Sequence, residues 1–165
     1  MPATSIQPTV VHSTFVIERS FTVPPERVFA AFANPDIKRR WYADTRRHAV
    51  DAFSMDFRVG GTDEGRFRFS EGTPFPGAVF VNRTTYQNIV PDRRIVMAYT
   101  MAFGSETGDK VFSASLATVE LVPTADGTQL FFTDQVAFFE GADTPEMRKH
   151  GWETLLDSLA AELGQ

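Results

Sequence analysis

Residues 144–163 read TPEMRKHGWETLLDSLAAEL, and their periodicity decides how the rest of the chain has to be arranged. Met147, Gly151, Leu155, Leu156, Leu159 and Leu163 recur at three- and four-residue steps, while Glu146, Lys149, Glu153 and Asp157 fall mostly on the other side. This is the pattern of an amphipathic helix with one apolar face to bury. Thr144 before Pro145 fits an N-cap with proline in the first helical position, and Asp143 with Glu146 offers an alternative capping box one residue earlier.

Upstream the period changes to two. Phe15, Ile17, Arg19 and Phe21 alternate with Val16, Glu18, Ser20 and Thr22, a strand that stops at Pro24-Pro25. Val28, Phe29 and Phe32 then recur at helical spacing, and Asn34-Pro35-Asp36 caps a second short helix carrying Ile37 and Trp41. Strands are expected from Ala52 to Val59, broken by Gly60-Gly61, and from Arg66 to Ser70. Longer ones are expected from Ala78 to Val90, Arg94 to Phe103, Val111 to Val122 and Thr128 to Phe138. Pro91-Asp92 and Asp126-Gly127 are the turn signals between the later strands. A meander of this kind needs one face covered, and the terminal helix is the element long enough to do it. The expected fold is therefore α+β: a bent antiparallel sheet of about six to seven strands wrapped around a long C-terminal helix, with two short helices after the first strand. Residues 1–13 read as a flexible polar tail, and 14–165 as a single domain.

Composition narrows the function classes. The length of 165 residues suits one domain, burying roughly 70% of its unfolded surface. A net charge of −5 opposes generic nucleic-acid binding. The absence of cysteine removes disulfides, thiolate metal sites and cysteine nucleophiles together. His12, His48 and His150 are dispersed without metal-ligand spacing, so no metal is expected. No Gly-x-Ser-x-Gly points to a serine nucleophile, and no Gly-rich motif opens a helix as a phosphate cradle would. Without a secretory signal or an apolar run of spanning length, membrane insertion is not expected and a cytoplasmic location is. On the same ground Asn82-Arg83-Thr84 reads as an accidental glycosylation sequon.

Taken in order, several short motifs resemble one family. They are Arg19-Ser20-Phe21, Pro25-Glu26-Arg27-Val28-Phe29-Ala30-Ala31, Asn34-Pro35-Asp36 and Trp41. Further on come Asp56-Phe57-Arg58-Val59-Gly60-Gly61, Val90-Pro91-Asp92-Arg93-Arg94-Ile95, Gly127-Thr128 and Gly151-Trp152. From about Phe15 to Leu163 the chain is similar to the activator of 90-kDa heat-shock-protein ATPase homologue-like proteins. These are part of the START and polyketide-cyclase (SRPBCC) superfamily with the helix-grip fold. The resemblance implies that fold and a pocket between sheet and helix, with no cofactor. Relatives bind varied hydrophobic ligands, catalyse cyclisations, or have no established activity, so the fold does not by itself fix a function. The co-chaperone that names the family carries an additional N-terminal domain that this sequence lacks, and chaperone activation is not expected.

A bent sheet and one helix leave a cavity wherever their inward side chains fall short of filling the space. The candidate lining residues are Trp41, Phe67, Phe69, Met97, Tyr99, Met101, Phe103, Phe132 and Trp152. Arg58, Tyr99 and Asp134 are the polar candidates: Arg58 to anchor a carboxylate or enolate, Tyr99 to donate a hydrogen bond, and Asp134 to act as a base if burial raises its pKa. Gly151 costs about 1 kcal/mol in a helix relative to Ala, and close packing against the sheet is the expected compensation, with room for Trp152 or a ligand as the alternative.

Three functions follow. The leading expectation is a binding module for a small hydrophobic or aromatic molecule. A cofactor-free cyclase, dehydratase or isomerase needs an acid and a base converging on the same cavity. An interaction module would use the basic cluster Lys38, Arg39, Arg40, Arg46 and Arg47, beside His48, against an acidic partner, although a solvated face explains that cluster as well. Homodimerisation through a sheet edge or an apolar patch is compatible with this pattern.

Overall fold

A computed structural model describes residues 6–44, 48–139, 141 and 143–165. Seven strands, β1 (Val11–Phe21), β2 (His48–Ser54), β3 (Thr62–Phe69), β4 (Val79–Val90), β5 (Arg94–Phe103), β6 (Lys110–Pro123) and β7 (Thr128–Phe138), form one sheet. The order is β1-β7-β6-β5-β4-β3-β2 and every neighbouring pair is antiparallel. Between β1 and β2 lie two short helices, α1 (Pro25–Ala33) and α2 (Pro35–Lys38), followed by a π-helical turn at Arg39–Ala43. A long helix, α3 (Pro145–Glu162), closes the chain. This is the helix-grip arrangement that the sequence leads one to expect.

Local chemistry accounts for the element boundaries. Pro25 and Pro35 open their helices where a missing N–H costs nothing, and the Asn34 side chain accepts from the backbone N–H groups of Asp36 and Ile37 at 3.0 and 3.2 Å. At α3 the cap is Thr144, whose hydroxyl accepts from Met147 N at 3.1 Å. Gly127 closes the β6–β7 turn against Phe21, where any side chain would collide with the Phe21 carbonyl.

The core lies between α3, the short helices and the concave face of the sheet. Ile17, Phe21, Val28, Phe32, Val119, Leu130, Leu156 and Leu159 are buried there, each large aliphatic or aromatic side chain contributing roughly 1.5–3 kcal/mol by leaving water.

Several boundaries differ from expectation, among them the start of β2 at His48 instead of Ala52. Strand β1 starts at Val11, so residues 11–13 are not tail: Val11 pairs with Phe138 and Ser13 with Val136. An edge strand whose outer side meets solvent tolerates polar residues, which hid its first turn of pairing from a hydrophobicity reading. Strand β2 ends at Ser54 instead of running to Val59, because residues 56–61 fold back on themselves through Arg58 N to Asp56 O and Gly61 N to Arg58 O. Strand β3 begins at Thr62, and Gly65 within it lies beneath the Phe67 ring, which a side chain there would strike.

Candidate functional site

A cavity of about 230 Å³ opens between α3 and the β3–β6 part of the sheet, with Tyr42 of the π-helical turn on its wall. Its lining is mainly aromatic because the strands alternate. Phe67 and Phe69 of β3, Phe80 of β4, and Tyr99, Met101 and Phe103 of β5 all project from the concave side. A bulge between Met101 and Ala102 leaves Phe112 without a partner on β5, and Phe112 and Ser113 are consecutively buried as a result. From α3, Met147, Gly151, Trp152 and Leu155 complete the wall. The rings pack in a chain: Phe69 stacks on Phe80 at 4.3 Å between centroids, and Phe67 lies 5.0 Å from Phe80.

At the α3 side stands a buried polar network. The Tyr99 hydroxyl donates to Asp134 Oδ2 at 2.5 Å and accepts from Trp152 Nε1 and Arg148 Nη1, both at 3.1 Å. Arg148 also donates to Ser115 Oγ at 3.2 Å, Ser113 Oγ at 2.7 Å and Asp143 Oδ2 at 2.9 Å. A phenol has one proton and two lone pairs, so Tyr99 is fully used, and the fork of Arg148 is spent on four neighbours. Burial drives Asp134 up to about 6, although the Tyr99 hydrogen bond and the Arg148 charge act against it. Burial also pushes the Tyr99 hydroxyl up, with Arg148 opposing and Asp134 reinforcing. For Arg148, burial favours loss of the proton, but the oxygens of Tyr99, Asp143 and Asp134 outweigh it and hold the guanidinium charged.

Behind the cavity a void of about 10 Å³, bordered by Trp41, Met97 and Lys38, shares Tyr42, Asn82, Tyr99 and Trp152 with it. There Lys38 Nζ meets Asp63 Oδ2 at 3.1 Å and the Tyr86 hydroxyl at 3.3 Å, and Tyr86 donates to the same carboxylate. Burial lowers the Lys38 pKa, and Asp63 partly restores it.

Of the residues proposed from sequence, Phe67, Phe69, Tyr99, Met101, Phe103 and Trp152 line the cavity together. Trp41 does not: it is buried, donates Nε1–H to Ala31 O at 2.8 Å, and reaches only the small void, as does Met97. The π-helical turn inserts one residue into the winding, closing with Asp44 N on Arg39 O, and so brings Tyr42 to the wall in place of Trp41. Phe132 lies under Trp152, at 4.2 Å between centroids, as support. Asp134 faces inward but has no place on the cavity surface. Arg58 is a correction: its side chain is 68% exposed and paired with Asp56, because strand alternation has ended before it.

The basic cluster is also redrawn. Lys38 points into the interior, Arg40 pairs with Glu162 at 2.5 Å, Arg39 is exposed, and Arg46 and Arg47 lie outside the described residues. Gly151 is not a close-packing glycine, since a side-chain carbon there meets nothing within 4 Å. Among the described residues no group of three His, Asp or Glu is placed to hold a metal, and no helix is long and apolar enough to cross a membrane.

Arg148 and Asn82 escaped the sequence reading. Arg148 had a signal, since it precedes Trp152, Leu156 and Leu159 by helical steps on their buried face. Asn82 was visible only as a sequon, and its inward side chain makes it no glycosylation acceptor.

Comparison with known proteins adds the family context. The family model described as activator of Hsp90 ATPase homolog 1-like protein matches residues 22–164. A solved structure from Rhizobium loti is 47% identical with a TM-score of 0.79, covering 93% of this chain and 98% of that one. Another, from Rhizobium leguminosarum, is 35% identical with a TM-score of 0.84, covering 94% and 96%. The AHSA1 protein of Silicibacter pomeroyi, 21% identical with a TM-score of 0.70 over 92% and 98%, shares the fold. The search of curated proteins returned no match.

Proposed function

Because the chain belongs to the activator of Hsp90 ATPase homolog 1-like family, we propose that it binds a small hydrophobic or aromatic molecule in the cavity between sheet and α3. The observation that carries this reading is that Tyr99 and Arg148, the polar groups of the wall beside α3, are already engaged within the protein. Tyr99, Arg148 and Asp134 spend their hydrogen bonds on one another and on Ser113, Ser115, Asp143 and Trp152, so the cavity offers a ligand mostly aromatic and thioether surface. At about 230 Å³ it lies just below the usual range for drug-sized ligands, which favours a molecule of one or two rings. Acid–base chemistry in the same space would need a base with a face on the cavity; Asp134, the base expected from sequence, has none, and such chemistry would have to use His48 or His150, which border the wall.

Native and denaturing mass spectrometry of the purified chain, compared with Gly151→Leu, tests the reading. The leucine grows into the open space at Gly151. A small molecule retained by the native chain and lost from Gly151→Leu supports it. Equal retention by both chains places the ligand elsewhere and refutes it.

A further inference from the structure

On the wall beside α3, Tyr99 and Arg148 have their hydrogen bonds within the protein, whereas a polar side chain on the opposite wall keeps one end free among the described residues. Asn82 stands on β4 between Phe80 and Thr84, on the concave side, 8% exposed. Its one hydrogen bond is with Thr84, whose hydroxyl donates to Oδ1 at 3.0 Å. The other end of the amide has no hydrogen bond among the described residues. That end is left to whatever occupies the adjoining space, since Asn82 stands in the cavity lining. Asn82 also borders both the main cavity and the small void behind it, which places it at the inner end of the space a ligand would fill.

We infer that Asn82 is the specificity-determining residue of the cavity, its amide meeting a carbonyl or hydroxyl group at the leading end of an otherwise apolar, uncharged ligand. The inference rests on the ligand-binding reading and deepens it. Formal charge on the ligand is disfavoured at this position. The residues that border both spaces, Tyr42, Asn82, Tyr99 and Trp152, carry no charge, and Lys38 at the void is held by Asp63 and Tyr86. A neutral oxygen needs only the amide. Side-chain amides donate at one end and accept at the other, so rotation about the terminal bond lets Asn82 receive either a carbonyl or a hydroxyl group while keeping Thr84.

A matched probe pair tests this: 2-naphthol and 2-methylnaphthalene, nearly equal in shape and differing in the hydrogen-bonding group. Their dissociation constants are measured by titration on the native chain and on Asn82→Leu, which keeps the branching of the side chain and removes the amide. The ratio of the methylnaphthalene constant to the naphthol constant is expected to fall about fivefold or more in Asn82→Leu, with methylnaphthalene binding retained. A ratio unchanged between the two chains overturns the role of Asn82 and leaves the cavity reading standing. Failure of both probes to bind the native chain overturns the cavity reading and this inference together. Asn82→Ala, which adds nothing against Thr84, supplies the same ratio should the leucine variant not fold.

Discussion

Tyr99 of β5 reaches across β6 to give its hydroxyl proton to Asp134 of β7, at 2.5 Å, while the other carboxylate oxygen of Asp134 has no hydrogen bond among the described residues. A half-satisfied buried carboxylate is uncomfortable as an anion, which is why its pKa rises to about 6 from 3.8.

That shift makes stability depend on pH in a defined direction. The folded chain holds a proton that the unfolded chain has already released, so this contribution is complete below about pH 4. It is lost as pH rises through about 6, roughly 3 kcal/mol in total. Asp134→Asn cannot ionise and should escape the loss. Urea denaturation at pH 4 and pH 7.5 should show the variant gaining roughly 2–3 kcal/mol relative to the native chain between the two. Parallel pH curves for the two chains would contradict the assignment.

Arg148 should be expensive to remove. Arg148→Met leaves Asp143, Ser113 and Ser115 without their buried partner, and by taking a cation from beside Asp134 it raises that carboxyl further. The expected loss in urea denaturation is about 3–5 kcal/mol, with part of it recovered in Arg148→Met/Asp143→Leu. A loss below about 1 kcal/mol would mean that water already serves these groups.

Gly151 offers the opposite case. With open space where its side chain would stand, Gly151→Ala gains helix propensity at no steric cost, and a gain of about 0.5–1 kcal/mol is expected. Thermal unfolding should move up by roughly 2–3 °C. A fall in melting temperature would show that the helix sits closer to the sheet than described.

The Lys38–Asp63 pair tests whether the inner void is structural. Lys38→Met strands Asp63 and Tyr86 in the interior and should cost about 3–5 kcal/mol, whereas Lys38→Met/Asp63→Leu should recover most of it. Equal losses in the single and double variants, measured by chemical denaturation, would make the lysine more than a counter-ion.

The fold was legible because its signals are repetitive. Met97, Tyr99, Met101 and Phe103 alternate over a whole strand, and the stripe through Leu156 and Leu159 runs the length of α3, so errors at individual positions average out. The aromatic half of the cavity followed from the same alternation. What stayed hidden depends on single-residue events: the bulge that turns Phe112 inward, the early end of β2 that leaves Arg58 in solvent, and a long-range meeting of Arg148, Tyr99 and Asp134 from three separate elements. Sequence spacing also cannot tell a surface lysine from one that turns inward to meet an aspartate twenty-five positions away, as Lys38 does with Asp63.

The π-helical turn at Arg39–Ala43 works as a frame marker for this part of the molecule. With the additional residue wound in, Tyr42 faces the cavity and Trp41 is locked against Ala31; shortening the turn by one residue would rotate the winding and change which residue reaches the wall, without altering either side chain. Among descendants of such a scaffold, a change in which aromatic greets the ligand can therefore arise by insertion or deletion as readily as by substitution. Alignments that slide a gap freely through residues 39–43 would pair side chains that never occupy the same place.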